Sequence, residues 1–365
     1  MADIFKFFKN NLSLNSSYLG VDIGTTSIKV VEVERGGKLP RVINYGFLES
    51  GGYLARANQA LQTSTLKLFE KEVVEFLRLI LREMKTRSTE AVASLPVFSA
   101  FTTVLDFPDM SPADIEKAIP FQAKQYVPVS LSEVALDWMK VGEFTDERGF
   151  KHIQVLMVSV PQEQIKKYQK IFKLAGLKLS ALELESLSLS RIFGGDDPTP
   201  TVIVDIGSRS TNVAFLEQGQ FRFNTQSDFA GASLTQALAT GLGITSLRAE
   251  ELKKERGING VGPGFELSTI MLPFLDAIIG EVKNSIFKYQ NQFPQARKIE
   301  RLMLAGGGAN LSGIETYFGK EFNFPIVKAA PFAQFECHPN MTPMLSELNP
   351  LMSVALGLAL QRFKK

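Results

Sequence analysis

Two stretches of the chain carry residue types that can grip a phosphate. Val21-Asp22-Ile23-Gly24-Thr25-Thr26-Ser27-Ile28-Lys29-Val30 aligns without a gap against Val204-Asp205-Ile206-Gly207-Ser208-Arg209-Ser210-Thr211-Asn212-Val213, and the register continues through Glu34 against Glu217 and Gly36 against Gly219. In each copy an apolar run delivers an Asp, a Gly permits a tight turn, and hydroxyl side chains follow. Backbone N–H groups and the hydroxyls of Thr25, Thr26, Ser27, Ser208, Ser210 and Thr211 can donate to phosphate oxygens. Asp22 and Asp205, held at strand ends, can orient water bound to Mg²⁺, which makes them the candidate metal-site residues. Lys29, leaving the first turn, adds a positive contact. A single copy of this pattern is ordinary hairpin chemistry. Two copies have no obvious folding benefit, whereas two facing loops holding one polyphosphate account for both.

A third segment, Leu304-Ala305-Gly306-Gly307-Gly308-Ala309-Asn310-Leu311-Ser312-Gly313, reads as a strand passing through glycines into a helix. Gly306, Gly307 and Gly308 would let a flat base approach the backbone, with Asn310 beside them. The spacing fits neither a Walker A loop nor the Rossmann fingerprint, so those nucleotide folds are disfavoured.

The elements that must position these residues alternate between strands and helices. Tyr18–Ile23, Ile28–Glu34 and Arg41–Leu48 read as an antiparallel meander, followed by an amphipathic helix over Ser64–Lys85 and a buried strand at Ala91–Leu95. From Pro96 to Lys178, prolines at 96, 108, 112, 120, 128 and 161 punctuate short elements, including a strand at Lys151–Val160. This texture reads as an inserted subdomain. The chain returns through a helix at Gln162–Ala175, ended by Gly176, and a helix starting near Glu183, before the meander recurs. Helices are expected at Ala232–Thr240, Ser246–Arg256, Ser268–Gln290 and Ile314–Phe318, with a strand at Ile299–Leu304. A final apolar helix spans Leu351–Phe363, where Ser353, Ala355, Gly357 and Ala359 permit close packing. The class is α/β with two similar lobes.

Composition narrows the function. A chain of 365 residues that is 45% hydrophobic can bury substantial cores in two or more domains. Forty basic side chains nearly balance 38 acidic ones, so a net charge of +2 supplies no broad field for nucleic acid or an anionic membrane. Cys337 is the only cysteine, which excludes an internal disulfide framework and a Cys-rich metal site and fits a reducing cytoplasm. His152 and His338 have no third partner at ligand-like spacing and read as surface or loop residues. No apolar run reaches the roughly 20 residues that span a bilayer; Ile270–Ile279 is interrupted by Pro273 and Asp276. The opening Ile4-Phe5-Lys6-Phe7-Phe8-Lys9 lacks a secretory cleavage pattern and suits contact with a membrane surface or a partner.

The order of these motifs resembles the actin, Hsp70 and FtsA superfamily over nearly the whole chain: a first phosphate loop, a connecting helix, a second phosphate loop and an adenosine loop. The resemblance implies ATP and Mg²⁺ as cofactors and two lobes with duplicated RNase H-like cores. Ala249-Glu250-Glu251-Leu252-Lys253 resembles the superfamily's Ala-Glu-x-x-Lys helix, which places Glu250 and Lys253 beside the ribose or adenine; an exposed helix with charged pairs is the plainer reading. Glu185 matches the acidic residue that orients attacking water, with Glu183 two residues earlier, and Asp205 joins Glu185 as a catalytic candidate. An acidic residue there also simply complements a helix dipole. Arg209 stands where active members commonly carry Gly, so whether bound ATP is slowly hydrolysed is left open.

Within that superfamily the sequence is most similar to the PilM family of type IV pilus assembly. The Phe/Lys-rich opening, Ser94-Leu95-Pro96, Phe107-Pro108-Asp109-Met110, and Gln122 to Pro128 followed by Leu136-Asp137 carry the resemblance. It implies subdomain 1A at 15–95, completed by 179–200 and the helix near 351–363. An FtsA-type insertion, subdomain 1C, then occupies 96–178, subdomain 2A takes 201–242 and 297–350, and subdomain 2B takes 243–296. It further implies a cytoplasmic scaffold at the inner membrane whose membrane contact is indirect. A PilN-like N-terminal peptide would bind in a groove between 1A and 1C, alongside other pilus platform proteins, and self-association is compatible with it. FtsA, a filament former with a terminal membrane-targeting helix, matches less well, since this sequence stops at Phe363-Lys364-Lys365. A small-molecule kinase of the same superfamily would need a substrate base that does not stand out.

Overall fold

Both repeated segments begin as fully buried strands that end one residue past their Asp, at Ile23 and Ile206. A computed structural model describes residues 17–49, 70–258 and 265–363. The Ile4–Lys9 opening and the first turns expected of the Ser64–Lys85 helix lie outside the described residues. Strands β1 (Ser17–Ile23), β2 (Ser27–Glu34) and β3 (Arg41–Glu49) form the expected antiparallel meander. Helix α1 (Glu70–Met84) leads to β4 (Glu90–Leu95), which pairs parallel to β1.

The proline-punctuated stretch contributes β5 (Phe101–Pro108), α2 (Pro112–Tyr126), β6 (Val134–Thr145) and β7 (Lys151–Pro161). These strands make a separate sheet of order β5-β7-β6, and α2 closes its own small core through Ile115, Ile119 and Ala123. Strand β6 was not foreseen: only Val134 to Leu136 and Val141 of its length are apolar and well buried, so the alternation is weak. His152 lies within β7, stacked on Phe144, rather than in a loop.

Helix α3 (Gln162–Leu174) and strand β8 (Lys178–Leu184) return the chain to the first sheet, and α4 (Glu185–Phe193) crosses to the second. Glu183 therefore sits on a strand, two residues before the helix that was expected to begin near it. The second sheet is built from β9 (Thr201–Ile206), β10 (Thr211–Glu217) and β11 (Gln220–Ser227). After α5 (Gly231–Leu242), α6 (Ser246–Arg256) and α7 (Phe265–Gln292) it is completed by β12 (Arg301–Ala305). Helix α8 (Ile314–Gly319) and the short β13 (Ile326–Lys328) follow, β13 being too brief to leave a period in the sequence.

The sheet orders are β3-β2-β1-β4-β8 and β11-β10-β9-β12-β13. In each, three antiparallel strands are followed by two parallel ones. Strands β1 and β9 occupy the central position and are covered on both faces, which is why their sequences read as continuous apolar runs.

The expected final helix, Leu351–Phe363, is shortened to α10 (Ser353–Leu360), and a break at Met352 separates it from an unforeseen helix, α9 (Leu345–Leu351). Every residue of α10 is buried. A Cβ on Gly20 of β1 would lie 2.0 Å from the Ala355 carbonyl oxygen, and one on Gly357 would lie 2.2 Å from that of Ser188 in α4. Helix α10 thus packs backbone against backbone on β1 and α4, as its small residues suggested. Arg191 locks the arrangement by pairing with Glu183 and donating to the Gly357 carbonyl at 3.0 Å.

Candidate functional site

The two repeated turns are built alike. Gly24 N–H donates to the Ser27 carbonyl at 2.9 Å, and Gly207 N–H donates to the Ser210 carbonyl at 3.0 Å. Each turn therefore spans the same four positions. A Cβ on Gly207 would meet the Ser210 carbonyl at 2.8 Å, so the tight turn needs glycine there.

Both turns face one cavity of about 60 Å³ between the two five-stranded sheets. Of the candidate residues, Asp22, Gly24, Thr25, Thr26, Ser27 and Lys29 line it from the first sheet, and Asp205, Gly207, Ser208, Arg209 and Ser210 from the second. Glu185, at the start of α4, and Gly306 and Gly307, after β12, complete the polar wall. Pro96, Phe98, Pro350, Leu351 and Val354 supply an apolar side.

The carboxylates are held with little freedom. Asp22 is 3% exposed; its Oδ2 accepts from Lys29 Nζ at 2.8 Å and its Oδ1 from Ser94 Oγ at 2.8 Å. Ser94 in turn accepts from the Ile23 N–H at 3.2 Å. Burial alone would lower the Lys29 ammonium, but Asp22, then Asp205 and Glu185, outweigh it and hold the ammonium above its ordinary value. Asp205 is 8% exposed and is pushed up to about 6, chiefly by burial, with Asp22 adding and Lys29 opposing. Burial, then Asp22 and Asp205, push the Glu185 carboxyl well above the usual range against a hydrogen bond from Asn212 and the charge of Lys29.

Several candidates lie elsewhere. Thr211 turns away to donate to the Phe229 carbonyl at 2.7 Å. Gly308 packs on Ile206, where a Cβ would lie 2.3 Å from a side-chain carbon, and Asn310 donates to the Glu347 carbonyl at 2.8 Å. Gly306 makes room for the second loop, since a Cβ there would strike the Asp205 carboxylate. Lys253 and Glu250 do not line the cavity. They pair at 2.6 Å, and Lys253 Nζ donates to Thr235 Oγ1 at 2.8 Å and to the Gly231 carbonyl at 3.0 Å. Despite burial, which pushes the other way, the Lys253 ammonium and the Thr235 hydroxyl hold the Glu250 carboxyl below its ordinary value. The pair braces the first turn of α5, whose Gly231 and Ala232 N–H groups bond to the Gly207 and Ser208 carbonyls. Glu183 is likewise committed to Arg191.

Two residues of the site escaped sequence reasoning. Ser94 entered the sequence reading only within Ser94-Leu95-Pro96, with nothing there to tie it to Asp22. Asn212 lines the cavity and donates from Nδ2 to Glu185 Oε2 at 2.6 Å; it had a signal, because it occupies in the second copy the position of Lys29 in the first.

Among the described residues no three His, Cys, Asp or Glu side chains stand close enough together to ligate a metal directly. The donor set still fits Mg²⁺ carried by a polyphosphate: buried carboxylates at strand ends suit its bound waters, and turn amides, hydroxyls, Lys29 and Arg209 suit phosphate oxygens. No single helix among the described residues is long and apolar enough to cross a membrane.

Comparison with known proteins gives the same architecture. Residues 20–363 match the family described as "Type IV pilus assembly protein PilM". The chain is 22% identical over 332 residues to the cell division protein FtsA of Enterococcus hirae, covering 81% of this chain and 74% of that one. Among solved structures, the PilM-PilN type IV pilus biogenesis complex superposes with a TM-score of 0.81 at 22% identity, over 95% of this chain and 99% of that one. MreB5 of Spiroplasma citri bound to ADP superposes with a TM-score of 0.52 at 14% identity, over 94% and 95%. The fold is α/β and actin-like.

Proposed function

The chain belongs to the PilM family of type IV pilus assembly proteins, and from that premise we propose that it is an ATP-binding, actin-like scaffold on the cytoplasmic side of the pilus platform. In this reading ATP and Mg²⁺ sit between two lobes, and the N-terminal tail of a PilN-like membrane protein binds in a groove between subdomains 1A and 1C. The observation that carries the nucleotide half is the convergence of Asp22 and Asp205, each followed by the same glycine-led turn, on one cavity. The matched strand orders support duplicated RNase H-like cores, and the separate core of β5, β6, β7 and α2 supports an inserted 1C. The partner is argued from the family and from the PilM of the superposed PilM–PilN complex.

When bound, Mg²⁺ would neutralise charge on the phosphates and orient them through its waters. Asp22 and Asp205 would hold those waters. The amides and hydroxyls of Thr25, Thr26, Ser27, Ser208 and Ser210 would take phosphate oxygens, with Lys29 and Arg209 as cations. A space of about 60 Å³ is far below the several hundred Å³ that a bound small molecule fills. Nucleotide entry therefore requires the lobes to part. Because donors come from both sheets, ATP contacts one lobe arrangement better than the others, and only such a difference can set the lobe angle. Glu185, whose carboxyl burial and then Asp22 and Asp205 push well above its ordinary range, stands at the cavity wall where it can orient a water.

The test is a pull-down with a synthetic N-terminal tail of a PilN-like protein, with and without ATP·Mg, alongside calorimetry with ATP. Retention that changes with nucleotide is expected. No retention in either state removes the partner, and no ATP uptake removes the nucleotide.

A further inference from the structure

The two phosphate turns differ at one matched position, and the difference assigns a job to Asn212. Lys29 faces Asp22 across β1 and β2, and Asn212 faces Asp205 across β9 and β10 in the same register. In the first copy an ammonium 2.8 Å away neutralises the carboxylate. In the second copy an amide stands there and cannot, so Asp205 keeps its need for a positive partner.

The amide is itself half satisfied. Asn212 is 3% exposed, its Nδ2 is anchored on Glu185, and its Oδ1 is buried without a hydrogen-bond partner while the residue lines the cavity. A buried acceptor beside open polar space calls for a donor, and space for a few waters is present. Its neighbours Asp205 and Glu185 are oxygen groups, so the missing species must bring several donors at once. The shell of water around a divalent cation does that, and its charge answers Asp205 as well.

Resting on the nucleotide reading above, we infer that Asn212 is a positioning residue for the metal: its Oδ1 accepts a hydrogen bond from a water of the Mg²⁺ shell, placing the ion on the Asp205 side of the cavity. The Nδ2 contact with Glu185 fixes the amide so that Oδ1, and not the amino group, faces the ion.

The measurement is the gain in affinity for a fluorescent ATP analogue on adding Mg²⁺, in the full chain and in two variants. Asn212→Leu keeps the volume and removes both polar atoms; the Mg²⁺ gain, taken as the ratio of affinities with and without the ion in each protein, should fall about tenfold, the worth of one hydrogen bond to a charged assembly. Asn212→Asp keeps the acceptor and should retain most of the gain. An unchanged gain in Asn212→Leu, or equal losses in both variants, overturns the assignment. If the unaltered chain takes up no nucleotide, the reading beneath it falls too, whereas uptake with an unchanged gain removes the Asn212 assignment alone. Should Asn212→Leu not fold, a crystal structure of the unaltered protein with Mg²⁺ and a nucleotide decides: a metal-bound water within hydrogen-bond distance of Oδ1 is expected, and a protein group or a nucleotide atom there instead refutes it.

Discussion

Replacing Lys29 by methionine keeps the aliphatic stem and removes the ammonium that sits 2.8 Å from Asp22, with both side chains largely buried. Stripping one member from a buried pair costs about 3–5 kcal/mol, because the charge left behind has lost its water and its partner. Here the loss has a ceiling, since the carboxyls can take up protons. Asp205 already stands at about 6 with Lys29 opposing the rise, so losing Lys29 moves it higher. A carboxyl whose folded pKa exceeds its unfolded value of about 4 binds more protons in the native state, so stability falls as pH rises through that window. The variant should therefore be about 3 kcal/mol less stable at pH 8, roughly 5 °C in apparent Tm for a chain of this size, and recover most of it by pH 5.5. Thermal unfolding followed by circular dichroism at the two pH values reads this directly. Equal melting of variant and parent at pH 8, or a deficit that does not shrink on acidification, would refute the electrostatic account of the cavity.

Other outcomes follow from single contacts. Gly20→Ala and Gly357→Ala force a methyl into a backbone carbonyl at 2.0 and 2.2 Å, so each should cost about 3 kcal/mol or more in urea unfolding, whereas Gly280→Ala, with nothing within 4 Å, should be neutral or stabilising by up to about 1 kcal/mol. Asp197 is held at about 2 by Thr199 and then Arg301; its contribution is complete above pH 4 and lost as pH falls towards 2, so Asp197→Asn should flatten the acid limb of a stability profile measured by fluorescence. Glu49, at the end of β3, pairs with Lys254 of α6 at 2.8 Å, joining the two lobes at an exposed rim. Glu49→Lys should speed release of a fluorescent nucleotide about twofold in stopped flow, and adding Lys254→Glu should restore the slow rate.

Much of this site was legible because the chain repeats itself. Strands β1 and β9 announce themselves as apolar runs ending in Asp-x-Gly, and covering both faces of the sheets is what makes those runs continuous. The same repeat carried the Lys29-to-Asn212 correspondence, yet attention to charge picked out Lys29 and passed over the neutral amide. Glu250 and Lys253 show the opposite limit: their spacing reveals that they share a helix face, but only the fold reveals that the face meets Thr235 and Gly231 and not the cavity. Strand β8 hid behind Glu183, because a buried carboxylate paired with Arg191 looks, in one dimension, like the first turn of a helix. The break at Met352 was equally invisible, since Leu351 to Leu360 is apolar but for Ser353 and its hydrophobicity has no sidedness to mark a bend.

Helix α10 also has a consequence for how the protein is made. Strand β1 leaves the ribosome early, but the helix that fills the groove along Gly20 and Ser188 is encoded by residues 353–360. At ~5–20 residues per second of translation, the first lobe waits for tens of seconds with one side of its central sheet uncovered, whereas the insertion and much of the second lobe hold their elements close together in sequence. The lobe that begins synthesis is therefore the one that finishes folding last, and during that interval its bare sheet is where a chaperone would have to stand guard.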